Sequence, residues 1–271
     1  MEILSALAQD YAEQHSSPQE LLLQEVETFT RANHSESHML SGFLQGRFLS
    51  LFSELLSPRR ILEVGTFTGF SALCLAKGLA PEGLLHTIEL REQDAAIAKS
   101  FFDRSTYSRQ IHLHIGNAHT IIPTLHEKWD LVFLDADKTS YLDYFNMVFP
   151  FVRSGGYILA DNVFFHGQVF EESPKGKNAK AISEFNDAIK SRADLELHRR
   201  GPRHGAPRVC RRDAGKLVPA TRHRARQRRS DQRPQRARRC RSLRWPRDGR
   251  PRSPRARPRA PPPPSANVGS L

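Results

Sequence analysis

The sequence predicts an α/β fold, a Rossmann-like doubly wound sheet in which the strands are mostly parallel. Short apolar runs of strand length alternate with amphipathic stretches of helical length between residues 42 and 192. The strand runs are almost continuously apolar, which is typical of strands covered by helices on both faces. Each run is followed by charged residues or glycine, at the position where sheets of this kind bind their ligands.

The elements follow from these patterns in chain order. We predict strands at residues 60–64, 84–90, 111–115, 130–135 and 156–161. The amphipathic stretches predict helices at residues 42–56, 71–79, 92–104, 120–125, 141–151 and 179–192. Because strands and helices alternate, consecutive strands are expected to be joined by helical crossovers and to lie parallel.

Charge divides the chain into two parts. The whole chain of 271 residues carries a formal net charge of +12. Residues 1–197 hold 17 Lys and Arg against 26 Asp and Glu, a net of −9, whereas residues 198–271 hold 24 against 3, a net of +21. We therefore predict one acidic domain at residues 1–197 and a separate basic tail at residues 198–271.

The predicted domain has the composition of a cytoplasmic protein. It contains a single cysteine, Cys74, so a disulfide framework is not expected and a reducing compartment fits. Its first residues lack the basic and apolar segments of a secretory signal. No run approaches the roughly 18 apolar residues of a membrane helix, so no membrane partner is expected.

A nucleotide-type site is indicated after the first two strands. Gly65 and Gly69 allow a tight strand-to-helix turn and close approach of a ligand to the backbone, although the same glycines could serve the turn alone. Glu89 ends the second strand, where a carboxylate can accept both hydroxyls of a ribose. The alternative is an ordinary strand-end acid beside Arg91.

Acidic and amide side chains end the fourth and fifth strands. Asp135, Asp137, Asp161 and Asn162 offer oxygen ligands of the kind that Mg²⁺ or Ca²⁺ prefers. Helix and turn capping is the alternative role for Asp135 and Asp161. Lys138 could be the salt-bridge partner of these acids or, near a bound cation, a general base.

Two pairs of histidines have spacings that could suggest zinc. His34 and His38 are four residues apart, and His112 and His114 alternate on a predicted strand. No cysteine pair and no HExxH motif accompanies them, so we interpret them as ordinary loop and strand-face residues.

Five motifs in order resemble the cation-dependent class I O-methyltransferases, which include caffeoyl-coenzyme A and catechol O-methyltransferases. The segments are LEVGTFTGFSALCLA, IEL, GNAHTIIP, DLVFLDADKTSY and GGYILADNVFFHG. The resemblance runs from about residue 38 to about residue 185 and is greatest to small bacterial members.

The resemblance implies a role for each matching residue. It implies that S-adenosylmethionine contacts Met39, Ser41, Glu63, Gly65, Ser71, Glu89, Ala118, Asp135 and Asp137. It implies that Asp135, Asp161 and Asn162 bind a divalent cation, for which Mg²⁺ is the first candidate and Ca²⁺ or Mn²⁺ are the alternatives. It makes Lys138 the catalytic base.

The same resemblance implies methyl transfer to a hydroxyl of a catechol-like or vicinal-diol small molecule, by a homodimer. Residues 164–180 are expected to cover the acceptor, where Phe164 and Phe165 either stack on its ring or pack inside the protein. The alternatives are a tRNA hydroxyuridine methyltransferase and a non-catalytic nucleotide-binding domain with an RNA-binding tail. The net charge of −9 disfavours RNA binding by the domain.

The tail has a composition that cannot form a core. It holds 23 of the chain's arginines and 12 of its 18 prolines, so we expect disorder. An Arg-rich RNA-binding extension, a Pro-rich partner-binding linker and translation of a shifted reading frame are the three explanations, and we favour the last. Members of the family continue with two further strands. We expect those C-terminal strands to be absent here, which would leave an exposed sheet edge and an unstable or weakly active protein.

Overall fold

The sheet is mixed, and it contains the five parallel strands that the alternating pattern predicts. The computed structural model describes residues 6–198 and 208–212. The parallel strands are β1 (Arg60–Val64), β2 (Leu84–Glu89), β3 (Ile111–Ile115), β4 (Trp129–Leu134) and β5 (Val152–Ala160). They are arranged as β3-β2-β1-β4-β5. The chain reverses its direction of travel across the sheet between β3 and β4, and ligands of doubly wound folds bind beside such a switch.

Eight helices flank the sheet within the part of the chain that the structure describes. They are α1 (Ala6–Gln14), α2 (Leu21–Asn33), α3 (Gly42–Leu56), α4 (Phe70–Ala76), α5 (Glu92–Phe102), α6 (Ala118–Ile121), α7 (Tyr141–Val148) and α8 (Lys177–Lys190). The predicted helix at 120–125 is α6 followed by a short 3₁₀ turn, Ile122–Thr124. Helices α1 and α2 precede the first predicted element and were not predicted.

Two apolar layers cover the sheet. One layer contains Leu62, Val132, Phe145 and Phe185, together with Trp129. The other contains side chains of α2, α3 and α4, and it packs on the strand residues Ile61, Leu85, Leu131 and Phe133. Neighbouring residues of each central strand thus contribute to opposite layers. The near-continuous apolar strands of the sequence follow from this two-sided burial.

The expectation that the C-terminal strands are absent is wrong. Two further strands, β6 (Leu195–His198) and β7 (Arg208–Arg212), extend the sheet beyond β5 in the order β5-β7-β6. Strand β7 pairs antiparallel with β5, with Ile158 opposite Cys210, and β6 pairs antiparallel with β7. The strands were missed because their arginine-rich surroundings resemble the tail, whereas the free edge of β5 offers backbone groups to any extended segment.

The rest of the predicted tail, residues 199–207 and 213–271, lies outside the described residues. The disorder and the reading-frame explanation that we predict for it concern those residues. In the ranges 6–198 and 208–212 no helix is both long enough and apolar enough to cross a membrane.

Candidate functional site

The carboxyl ends of the parallel strands are joined by backbone hydrogen bonds that continue one residue beyond the strands. The amide of Gly65 donates to Ile88 O at 3.0 Å, and that of Asp135 donates to Val64 O at 2.9 Å. The amide of Asp161 donates to Leu134 O, also at 2.9 Å. These bonds bring the turns after β1, β4 and β5 together, so residues that are up to about a hundred positions apart share one edge.

Gly65 is required by the close packing of two of these turns. Its φ is +100°, and a Cβ placed on it would lie 1.9 Å from the carbonyl oxygen of Asp135. No side chain fits in that space, so the turn after β1 leaves backbone rather than side chain facing the edge. The close packing of the two turns therefore requires the glycine of the predicted cofactor turn, independently of any ligand.

Glu63 is a buried carboxyl group with one oxygen free. Thr87 donates its hydroxyl to Oε2 at 2.5 Å, and Oε1 has no hydrogen-bond partner among the described residues. Burial raises the pKa of Glu63 to about 8, and the charges of Asp135 and Glu89 contribute in the same direction. Ser71, on the first turn of α4, approaches the same carboxyl group. A cationic partner would stabilise the ionised form of this buried carboxyl group.

Glu89 is held by two backbone amides. The amide of Phe67 donates to Oε2 at 2.7 Å, and the amide of Arg91 donates to Oε1 at 3.0 Å. The two carboxylate oxygens keep further lone pairs for other donors. Ala118 begins α6 just beyond β3, and the amide of Gly116 donates to Glu89 O at 2.8 Å. The structure thus brings together the residues predicted to contact ribose and adenine.

Met39 and Ser41 lie on the segment that joins α2 to α3. Met39 ends a short 3₁₀ turn, Ser37–Met39, and is 43% exposed. Ser41 is the residue immediately before α3. Their segment is tied to the turns of the edge through α2, because the hydroxyl of Thr30 donates to Thr68 Oγ1 at 2.9 Å.

Lys138 is held between an acid and a tyrosine. Its Nζ donates to Asp135 Oδ1 at 3.1 Å and to Tyr141 Oη at 2.5 Å. Tyr141 is fully buried, and its hydroxyl donates to the carbonyl oxygens of Leu134 and Asp161 at 3.0 and 3.1 Å. Burial, reinforced by the neighbouring aspartates, raises the pKa of Tyr141 well above its usual value, so the phenol stays protonated.

Asp161 is the second buried acid of this edge. It is 5% exposed, and its Oδ1 has no hydrogen-bond partner within the described ranges. Burial and the charge of Asp135 raise its pKa, while Lys138 opposes the shift. Asn162 follows in the left-handed region, with φ of 58°. The charges of Asp135 and Asp161 interact, and Asp161 is buried with one oxygen lacking a partner, which fits a cation site.

The predicted cation ligands are two carboxylates and one amide. Among the described residues, no group of three or more His, Cys, Asp or Glu side chains is arranged to hold a metal ion. The set Asp135, Asp161 and Asn162 therefore stays a prediction. Asp137, the remaining acid, accepts hydrogen bonds from Tyr144 at 2.8 Å and Thr139 at 3.0 Å. Burial raises the pKa of Asp137, but these bonds and those from Ser140 outweigh it and lower the pKa overall.

Three residues that form hydrogen bonds with the predicted site residues were not predicted from the sequence. Thr87, Tyr141 and Tyr144 orient Glu63, Lys138 and Asp137, respectively. In the sequence Tyr141 follows Lys138 by three residues and Tyr144 follows Asp137 by seven, and both tyrosines lie on α7, which begins directly after the turn that carries Lys138. Thr87 carries no such signal, because it lies 24 residues from Glu63 on the adjacent strand.

The fold and this edge define a class I methyltransferase: a Rossmann-like domain with a glycine turn after β1 and an acid at the end of β2. A family model described as O-methyltransferase matches residues 13–200. The chain belongs to this O-methyltransferase family.

Two similar proteins are named as catechol O-methyltransferases, which is consistent with the family. The chain is 36% identical over 146 residues to a catechol O-methyltransferase of Niastella koreensis, covering 52% of this chain and 66% of the relative. A catechol O-methyltransferase of Mycobacterium tuberculosis is 33% identical over 154 residues, covering 56% and 66%, respectively. The matched region thus spans just under two thirds of these two relatives.

A solved structure extends the likeness to the fold. The O-methyltransferase TomG of Streptomyces achromogenes, which is involved in tomaymycin synthesis and was crystallised with S-adenosylmethionine, is 27% identical. The match covers 76% of this chain and 95% of TomG, with a TM-score of 0.69.

Proposed function

We propose that this protein is an S-adenosylmethionine- and divalent-cation-dependent O-methyltransferase acting on a catechol-like or vicinal-diol small molecule. One observation carries the proposal: two buried carboxyl groups, Glu63 and Asp161, each keep an unpaired oxygen at the edge beside the Gly65 turn, within the described residues. Buried acids are normally paired, so both oxygens indicate partners that the protein alone does not supply.

The residues fit the cofactor in their chemistry. Glu63 would bind the amino group of S-adenosylmethionine, and Glu89 would accept hydrogen bonds from its ribose hydroxyls. The Gly65 turn would let the cofactor approach the backbone closely. S-adenosylmethionine, when bound, supplies an electrophilic methyl group. Met39, Ser41, Ser71, Ala118 and Asp137 are the remaining proposed contacts.

The cation ligands would be Asp135, Asp161 and Asn162, whose oxygen atoms suit Mg²⁺, with Ca²⁺ or Mn²⁺ as alternatives. A divalent cation held there would supply Lewis-acid chemistry, since it would bind neighbouring hydroxyls of an acceptor and favour loss of a proton from one of them. Lys138 Nζ lies 3.1 Å from Asp135 Oδ1 and is mostly buried. It would accept the hydroxyl proton, and its hydrogen bond to Tyr141 would fix its position.

The segment that follows the proposed cation ligands is the candidate acceptor contact. Phe165 and His166 have positive φ values of 40° and 54°, in a 3₁₀ segment, Phe165–Phe170, that follows the cation ligands. Phe164 packs against Phe170 at 5.5 Å between ring centroids. We propose that this segment contacts a small hydroxylated aromatic acceptor. We also propose that the protein is a cytoplasmic homodimer, and the dimer is what the resemblance to the family implies.

Methyl transfer to catechol with S-adenosylmethionine and Mg²⁺ tests the function directly. Lys138→Ala and Asp135→Ala should each reduce kcat by about 10²- to 10⁴-fold, and EDTA should abolish activity until Mg²⁺ is restored. Lys99→Ala is the matched control, because Lys99 pairs with Asp103 on the exposed side of α5. Full activity of Lys138→Ala, or activity that is indifferent to EDTA, would contradict the mechanism. Size-exclusion chromatography with light scattering tests the dimer.

A further inference from the structure

His34 links the end of α2 to α5 across 60 positions of sequence. Its Nε2 lies 2.9 Å from Asp94 Oδ1, and its Nδ1 accepts the backbone amide of Glu36 at 3.0 Å. Because Nδ1 is an acceptor, the ring proton is on Nε2 and is donated to Asp94. The two side chains are 14% and 4% exposed, so the bond is shielded from water.

Phe67 lies between His34 and Arg91. The His34 ring meets the Phe67 ring edge-on, with centroids 4.6 Å apart. The Arg91 guanidinium lies 5.5 Å from the centroid of the same ring. Arg91 Nε is also 2.6 Å from Asp94 Oδ2, so one carboxylate holds both groups that contact Phe67. We call His34, Asp94, Arg91 and Phe67 the latch.

The backbone of Phe67 is in an unfavourable conformation that the latch can maintain. Its φ is 50°, in the left-handed region that costs a bulky residue energy. In this conformation its amide donates to Glu89 Oε2 at 2.7 Å. If Phe67 relaxed to negative φ, that amide would leave Glu89, whose carboxylate would lose one of its two backbone donors.

We propose that His34 is a positioning residue for cofactor binding: through Asp94 it holds Phe67 against Arg91, which keeps the glycine turn and Glu89 preorganised. This inference rests on the proposed function. The latch joins the segment that carries Met39 and Ser41 to the turn after β1, so both walls of the proposed cofactor pocket are fixed before binding. Preorganisation of this kind affects affinity rather than the chemical step.

Three variants test the latch. His34→Ala removes the bond to Asp94 and the ring contact with Phe67. His34→Gln keeps a side-chain amide donor of similar reach. His38→Ala is the matched control, since His38 lies on the same segment but is exposed and contacts Glu36 rather than the latch.

Three measurements separate positioning from general damage. Calorimetry measures the Kd of S-adenosylhomocysteine, and steady-state kinetics separates the KM for S-adenosylmethionine from kcat. NMR hydrogen exchange of the Phe67 amide reports on the turn in the ligand-free protein. The amides of Leu131 and Val132, in the buried strand β4, report on the fold.

We expect His34→Ala to raise Kd and KM about tenfold, as loss of one charge-assisted hydrogen bond predicts. kcat at saturating cofactor should change less than threefold, and Phe67 exchange should accelerate at least tenfold with β4 unchanged. His34→Gln should recover most of the affinity, and His38→Ala should match the wild type.

Unchanged Kd and unchanged Phe67 exchange in His34→Ala would overturn the latch, as would a loss of kcat at constant KM. Equal acceleration of the β4 amides would also overturn it, because the residue would then only support the fold. A wild-type protein that binds no S-adenosylhomocysteine would instead overturn the proposed function.

Discussion

At the scale of single residues, the orientation of Lys138 depends on a hydroxyl group. Tyr141 accepts from Lys138 Nζ and donates to the carbonyl groups of Leu134, which ends β4, and Asp161, which follows β5. One phenol thereby ties the candidate base to the ends of both strands that supply the candidate cation ligands. The sequence predicted Lys138 but not this arrangement, because the carbonyl groups meet only when the two strands are paired.

Tyr141→Phe should therefore impair both stability and catalysis. Removing the hydroxyl leaves two buried carbonyl groups without this donor, and we expect a loss of about 1–3 kcal/mol in the free energy of unfolding. Lys138 also loses its nearest partner, so kcat should fall about tenfold or more. Urea denaturation and steady-state kinetics measure the two effects. Wild-type kcat in a folded Tyr141→Phe protein would show that the tyrosine does not position Lys138.

At the scale of elements, the sequence was most informative where local and tertiary requirements agree. The five parallel strands were predicted because each is a short, mainly apolar run that is followed by polar residues or glycine. Strands β6 and β7 were missed because they pair at an edge of the sheet and lie next to arginine-rich sequence that resembles the tail. Contacts such as His34 with Asp94 could not be predicted, since they join residues whose spacing carries no local signal.

Strands β2 and β3 carry a histidine cluster that should make the fold sensitive to acid. His86 is 8% exposed and lies 3.0 Å from His114 through its Nδ1, and its ring centroid is 5.1 Å from that of His112. Burial and repulsion from these two histidines lower the pKa of His86 to about 4, while Glu127 acts in the opposite direction and Arg60 in the same direction. A second histidine, His114, also has a lowered pKa, mainly through burial.

The sign of the effect follows from linkage. A histidine with a folded pKa near 4 and an unfolded pKa of about 6.5 binds its proton more readily when unfolded, so stability falls as pH drops from about 6.5 towards 4. Between pH 7 and pH 5 we expect His86 to contribute a loss of about 1–2 kcal/mol.

Urea denaturation at both pH values should show a smaller pH dependence for His86→Gln than for the wild type. His126→Gln, at an exposed loop position, should leave the dependence unchanged. The same slope in all three proteins would rule out His86 as the acid-sensitive group.

At the scale of the whole molecule, the net charge of the chain changes from negative to positive close to the end of its sheet. Residues 1–212 contain 23 Lys and Arg against 26 Asp and Glu, whereas residues 213–271 contain 18 against 3. Every residue proposed for the site lies between His34 and Phe170. The basic pI of about 10.1 therefore describes the segment after residue 212, and partners should not be inferred for the domain from it.

Two truncations distinguish the sheet from the tail. A chain ending at residue 212 keeps β6 and β7 and should retain the wild-type Tm and methyl transfer. A chain ending at residue 194 removes both strands and uncovers the edge of β5, so its Tm should fall and it should aggregate. Equal stability of the two truncated proteins would show that the added strands contribute little.

The free oxygen of Glu63 predicts that protons are released when S-adenosylmethionine binds. With a pKa of about 8, a substantial fraction of this carboxyl group is protonated near neutral pH. Arrival of a positively charged amino group beside it would favour the ionised form, so binding should release up to about one proton to the buffer. The apparent binding enthalpy should therefore differ between phosphate and Tris by the difference in their ionisation heats, and affinity should increase with pH until the carboxyl group is already ionised.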